Sequence, residues 1–265
     1  MKKAILVVSF GTTYEETRRK TIDCIEKEIA QTYPEFHVYH AWTNPSIRKK
    51  LQQHKGIVIP DVQTAMEQIF KEGNEIVIVQ PTYVLDGMEN QKMRKKIMAY
   101  ANQFLQIVIA NPLLTTQKDK EQTAMAIIEE LKPKQDEFFV LMGHGTEYEA
   151  NVVYTEMNDI FANKGYSNIY IGTLEAYPSL EDVLQKLNHF QMKKVILLPF
   201  MIVSGRHAHH HLAGEQQDSW KNQLKSQGYD VSCILKGLGE YLPIRKIVLC
   251  HTKEAIQKLK WKARD

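Results

Sequence analysis

Apolar residues along this chain fall into short unbroken runs separated by longer stretches with helical spacing. The runs at 3–10, 36–42, 75–84 and 106–110 read as strands, and the 3.6-residue periodicity over 14–31 and 89–103 reads as helices between them. The rhythm returns in the second half, with strands at 138–142, 168–173, 194–203 and 230–235 and helices near 150–163, 180–190, 210–227 and 242–261. Residues 195–203 are apolar at nearly every position, as expected when a parallel strand is covered on both faces instead of having one wet side. The halves also share wording at their first strand ends. One runs Phe10-Gly11-Thr12-Thr13-Tyr14-Glu15 and the other His144-Gly145-Thr146-Glu147-Tyr148-Glu149. The pattern predicts an α/β protein of two similar domains related by internal duplication, each an open parallel sheet flanked by helices. The polar Lys-Pro-Lys-Gln-Asp stretch at 132–136 is the break suited to a boundary. It divides the chain into an N-terminal half, 1–134, and a C-terminal half, 135–265, that carries the candidate metal site.

Composition narrows the class without choosing a function. A chain of 265 residues can bury a sizeable core without disulfide staples. Its three cysteines, Cys24, Cys233 and Cys250, are odd in number and lack C-x-x-C spacing, which fits a reducing cytoplasm; Cys24 and Cys233 sit in apolar patterns and are expected to be buried thiols. No apolar run approaches the roughly 18 residues a membrane span needs, so a soluble cytoplasmic protein with no membrane partner is expected. The Lys-rich start followed by Ala-Ile-Leu-Val-Val meets Gly11 and Glu15-Glu16 too soon for a secretory leader and reads as the first strand. A formal charge of +3 is too weak to argue for nucleic acid but suits an acidic small molecule. The basic clusters at Arg18-Arg19-Lys20, Arg48-Lys49-Lys50 and Arg94-Lys95-Lys96 read as solvated helix faces. A homo-oligomer is left open.

In open parallel sheets ligands bind beyond the carboxyl ends of the strands, so the chemistry is sought in the loops there. That rule selects Phe10, Gly11 and Thr12 after the first strand, Asp86-Gly87-Met88-Glu89 after the third, His144 after the fifth, Glu175 after the sixth, and Gly205-Arg206-His207 with the following His209, His210 and His211 after the seventh. His144, Glu175 and His207 lie at three strand ends of one sheet. Two imidazoles and a carboxylate suit a divalent transition metal with positions left for water or substrate. The plainer alternative makes His144 a turn residue between glycines, Glu175 a helix cap and His207 one polar loop residue among several. Four of the chain's ten histidines fall within 207–211, where helical spacing would put His207 on one face with His210 or His211. His210 and His211 are thus candidates for an auxiliary metal position, against the alternative of a solvated histidine-rich loop. Phe10, Tyr83 and Met88 are placed to line an apolar slot. No G-x-x-x-x-G-K-[ST] or G-x-G-x-x-G follows a strand, so no nucleotide is expected, and the absence of a G-x-S-x-G elbow disfavours an esterase.

On the motifs Lys-Lys-Ala-Ile-Leu-Val-Val-Ser-Phe-Gly-Thr-Thr-Tyr, Met142-Gly143-His144-Gly145, Glu175-Ala176-Tyr177-Pro178, Gly205-Arg206-His207-Ala208, Asp218-Ser219-Trp220-Lys221 and Gly237-Leu238-Gly239-Glu240, the chain resembles the anaerobic sirohydrochlorin cobaltochelatases of cobalamin biosynthesis. These belong to the wider class II tetrapyrrole chelatases that include ferrochelatase. The resemblance spans almost the full length. It implies two α/β domains around a tetrapyrrole cleft, a metal held by His144, Glu175 and His207, and Glu89 facing the cleft from the N-terminal half. It makes Co2+ the substrate metal and sirohydrochlorin the tetrapyrrole. What metal insertion requires then casts His144, His207 and Glu89 as catalytic residues, places Phe10, Gly11 and Thr12 against the substrate, and lets Arg206 pair with its carboxylates. The chain departs from the family pattern where Arg206 replaces an acidic residue before the metal-binding histidine, where His210 and His211 replace an Asn-Asp pair, and where Met88 replaces an acidic residue before Glu89. Fewer negative charges and more imidazoles bear on metal choice, so Fe2+ or Ni2+ insertion, or a tetrapyrrole or metal carrier without turnover, stand as alternatives.

Overall fold

The computed structural model describes residues 1–190 and 192–259. Strands β1 (Lys2–Ser9), β2 (His37–Trp42), β3 (Asn74–Pro81) and β4 (Gln106–Ile109) form a parallel sheet in the order β2-β1-β3-β4. Strands β5 (Glu137–Gly143), β6 (Ile169–Thr173), β7 (Lys194–Pro199) and β8 (Asp230–Cys233) form a second in the order β6-β5-β7-β8. The two orders are the same under the repeat, so each half places its first strand between its second and third. Ala4, Ile5, Leu6, Val7 and Val8 are fully buried, which explains the unbroken apolar run: with helices on both faces neither pleat meets water.

The helices are α1 (Glu15–Lys20), α2 (Ile22–Thr32), α3 (Pro45–Lys55), α4 (Val62–Lys71), α5 (Met88–Met98), α6 (Gln117–Leu131), α7 (Val152–Asn163), α8 (Leu180–Asn188), α9 (Trp220–Ser226) and α10 (Leu242–Gln257). The single helix expected over 14–31 is broken at Thr21, whose backbone leaves the helical region (φ −123, ψ −83) while its hydroxyl donates to Thr17 O. The helix expected over 210–227 is two pieces, a π-helical turn at Ala208–Leu212 and α9, because Gly214 intervenes and Ser219 caps a new start. The strands expected to reach 84 and 203 stop at Pro81 and Pro199, which have no N–H to give a ladder. Three helices absent from the hydrophobic reading, α3, α4 and α6, begin at Asn44 followed by Pro45, at Asp61, and at a Thr116–Asp119 capping box. The end expected for the last helix, Trp261, lies outside the described residues.

The chain crosses between the sheets after Lys132, which holds a left-handed conformation (φ 46) ahead of Pro133. Helix α10 returns across this junction to pack on β3, α2 and α6. One apolar cluster therefore runs through both sheets, joining Val7 and Ile78 to Leu141 and Ile171. The cysteines are not the buried thiols expected: Cys24 and Cys233 are half-buried and Cys250 is exposed. The basic residues of α1 are paired at the surface, Arg18 with Asp23, Arg19 with Glu15 and Lys20 with Glu16.

Candidate metal centre at the strand ends

The β5–β6 ladder continues past the strands and fixes two side chains. Leu174 N donates to Gly143 O and Glu175 N to His144 O, both at 3.1 Å, so His144 and Glu175 are neighbours by register. Below them, the buried Tyr154 hydroxyl accepts from Gly145 N at 3.4 Å, and burial pushes its pKa up to about 12. Gly145 takes a positive φ of 88 in a turn where an added Cβ would stand 2.9 Å from Ala176 N, so only glycine fits. The result puts His144 Nδ1 3.6 Å from Glu175 Oε2, with the side chains 43% and 61% exposed. Such exposure leaves room for a ligand to approach.

The β7 loop brings the third group. Phe200 N donates to Met142 O, and the chain then turns through Ser204 and Gly205 into the π-helical turn, where Ala213 N donates to Ala208 O. Turns of this kind are rare and recur at functional sites. His207 meets His144 edge to face, ring centroids 4.8 Å apart at 82°. On its other side His207 Nδ1 is 3.0 Å from His211 Nδ1. Burial, then His144, His211 and Arg206, lower the His207 pKa to about 4, so its ring is neutral at physiological pH and has a lone pair to offer. His144 thus touches both Glu175 and His207. Among the described residues, no group of three or more His, Cys, Asp or Glu side chains is placed to hold a metal ion as it stands.

The same ladder in the first half shows what was changed. Asn44 N donates to Phe10 O at 3.3 Å, so Phe10 and Asn44 occupy the places of His144 and Glu175, and Asn44 is spent as the cap of α3. Glu89, in the first turn of α5, occupies the place of His207 and pairs with Lys92 at 3.5 Å. The halves touch through equivalent positions: Gly87 lies against Thr146, and Gly205 against Thr12. Tyr14 stacks on His209, centroids 4.4 Å apart and nearly coplanar, and Ser204 N donates to Thr17 Oγ1. These contacts bring the Glu89 end of α5 and the His144 turn to one rim.

The remaining candidates separate by exposure. Phe10 after β1, Met88 at the start of α5 and Arg206 before the π-helical turn are exposed, whereas Tyr83 is buried with its hydroxyl 3.0 Å from Thr43 Oγ1. Gly11 is buried with φ 96, packed so that a Cβ would overlap the Trp42 indole. Thr12 is buried, its hydroxyl accepting from Tyr14 N. His210 is exposed and its carbonyl accepts from Gly214 N and Gln216 Nε2. Tyr154, Thr146 and the Tyr14–His209 stack were missed by the sequence reading. Only the second Gly-Thr-x-Tyr-Glu repeat hinted at Thr146, through its likeness to Thr12. A surface hollow of about 200 Å³ lined by Thr13, Lys50, Leu51, His54 and Lys55 includes none of the rim histidines.

His144, Glu175 and His207 thus put nitrogen and oxygen donors close together at the strand ends of the second sheet. Residues 3–257 match the family model described as cobalt chelatase (CbiK). The chain is 30% identical over 257 residues to the sirohydrochlorin cobaltochelatase of Salmonella typhimurium, covering 97% of each. It is 28% identical over 262 residues to the sirohydrochlorin cobaltochelatase CbiKC of Nitratidesulfovibrio vulgaris, covering 97% of this chain and 92% of that one. In fold it is similar to the sirohydrochlorin chelatase SirB of Bacillus subtilis subspecies spizizenii in complex with cobalt, with a TM-score of 0.67 at 14% identity over 97% of this chain and 96% of that one. Full-length agreement with the family model and with these relatives means that the chain belongs to the cobalt chelatase (CbiK) family.

Proposed function

We propose that the protein inserts Co2+ into sirohydrochlorin, releasing two protons, as a step of anaerobic cobalamin biosynthesis. Family membership supports the reaction class, and one observation carries the site: His144 lies in contact with both Glu175 and His207 at the carboxyl ends of one sheet. Insertion requires that the ion exchange water and protein donors for ring nitrogens and that two pyrrole N–H protons leave. His207, neutral and half-buried, is suited to hold the ion, with Glu175 offsetting its charge. His144, on the open side, binds the ion from the substrate face and takes a pyrrole proton as general base once the ion moves into the ring. Glu89, across the cleft, relays the second proton to solvent. Phe10 supports the face of the macrocycle, and Gly11 and Thr12 hold the loop that carries it. Arg206, exposed beside His207, pairs with a peripheral carboxylate of the substrate.

Anaerobic absorbance spectroscopy tests this reading. Substoichiometric protein is expected to convert a molar excess of sirohydrochlorin and Co2+ to the cobalt complex, while His144→Ala loses on the order of 100-fold or more in rate. A spectral change that stops at one equivalent of protein would make it a carrier, and an H144A variant with wild-type turnover would remove His144 from the site. The same assay with Fe2+ and Ni2+ in competition tests cobalt as the preferred ion.

A further inference from the structure

We infer that His211 is a further metal ligand, and that His207 and His211 grip the incoming ion as a pair through their Nδ1 atoms. This rests on the proposal that His207 binds the ion. The two Nδ1 atoms are 3.0 Å apart, with ring centroids at 5.0 Å and planes inclined by 53°. Two nitrogens each 2.0–2.1 Å from one ion stand about 2.9 Å apart when they subtend a right angle and about 3.3 Å at the tetrahedral angle. The observed separation therefore already has the bite of a chelating pair. Without an ion one ring donates its Nδ1–H to the other's lone pair; for both Nδ1 atoms to face an ion, the rings tilt and the donor's proton moves to its own Nε2 through solvent.

The local backbone explains why His211 and not its neighbours takes this part. His209 is stacked on Tyr14 of the other half, and His210 is exposed. The wider π-helical turn over Ala208–Leu212, anchored by the buried Ala208 and Leu212, turns His211 back beside His207. With His144 4.8 Å from His207 as well, His207 has an imidazole neighbour in both His144 and His211. A nitrogen-rich set favours later first-row ions over Mg2+ and Mn2+, so His211 acts on affinity and metal choice ahead of the chemical step.

The test titrates Co2+ calorimetrically into metal-stripped full-length protein without tetrapyrrole, and counts imidazole ligands by X-ray absorption at saturating cobalt. His211→Ala and His211→Asn are expected to bind Co2+ at least about 10-fold more weakly and to show one imidazole fewer. His54→Ala, a surface histidine on α3, corrects for adventitious binding. Wild-type affinity in both His211 variants overturns the inference, and so does weaker binding with an unchanged imidazole count, which would make His211 a positioning residue for His207. Normal turnover with undiminished cobalt affinity in H211A sinks this inference alone. Cobalt binding that depends on His211 in a protein unable to metallate sirohydrochlorin sinks the proposed function and leaves this standing.

Discussion

Gly143 shows how little space the site's support leaves. A Cβ there would approach Tyr154 Cε1 to 2.5 Å, and Tyr154 is the buried ring whose hydroxyl holds the next turn at Gly145. Gly143→Ala must displace that ring or the strand end, at a cost of about 1–3 kcal/mol for overpacking. Because the displaced group supports His144, we expect both a lower melting temperature and weaker cobalt binding, read by calorimetry on one sample. Loss of stability with unchanged cobalt affinity would separate the packing of Gly143 from the pose of His144. At this scale the placing of His144, Glu175 and His207 at neighbouring strand ends was legible, because the strand-end rule needs only the order of strands and the residue that follows each. The pairing of His207 with His211 was visible as one of two helical spacings. Choosing between them required the π-helical turn, whose i→i+5 bond leaves no mark in the hydrophobic pattern.

Helix α10 is held by two unlike contributions. Its buried Ile244, Ile247, Val248 and Ala255 supply most of the docking energy, since each large apolar side chain fully buried contributes about 1.5–3 kcal/mol. Polar contacts then set its position: His251 Nε2 lies 3.0 Å from Asp119 Oδ1 at the start of α6, and the Thr252 hydroxyl donates to Gln80 Oε1 on β3. Burial pushes the Asp119 carboxyl up, but hydrogen bonds from Thr116 and from His251 outweigh it and hold the pKa below its ordinary value. A depressed carboxylate contributes stability that is full above its unfolded value near about 3.9 and is lost as pH falls through the folded one. Asp119→Asn is expected to destabilise by about 1–3 kcal/mol at pH 7. Urea unfolding should show that difference shrinking below about pH 4, and a gap constant from pH 7 to pH 3 would count against a stabilising ionised Asp119. The helices missed by periodicity, α3, α4 and α6, all carried capping signals at Asn44, Asp61 and Thr116. Their apolar stripes are narrow, so the caps held more information than the hydrophobic residues.

The whole molecule is two copies of one sheet turned toward each other, with Thr12 against Gly205 and Thr146 against Gly87 as matching contacts. Duplication gives the halves equivalent strand-end loops, and substitution gives those loops different chemistry: Phe10, Asn44 and Glu89 in the first half, His144, Glu175 and His207 in the second. The Tyr14–His209 stack is an aromatic contact between the two halves. A stacked pair is worth about 0.5–1.5 kcal/mol, so Tyr14→Ala should raise KM for sirohydrochlorin about 2- to 12-fold. Cobalt affinity and kcat should change little. A fall in kcat at unchanged KM would instead place Tyr14 in the chemical step. Among the described residues no helix is long and apolar enough to cross a membrane, in line with the absence of a long apolar run.

The sequence by itself determined the strands, their parallel pairing, the repeat and which loops lie at the carboxyl strand ends, because those follow from local periodicity and from a topological rule that holds for any open parallel sheet. It also marked the second copy as the one with imidazoles. Tertiary structure alone decided that α10 returns to the first sheet, that Thr12 and Tyr83 are packing residues while Phe10 and Arg206 face solvent, and that His211 turns to His207 while His209 turns to Tyr14. Each of those depends on contacts between residues far apart in the chain, and a hydrophobic pattern records only whether a position is buried, not what buries it.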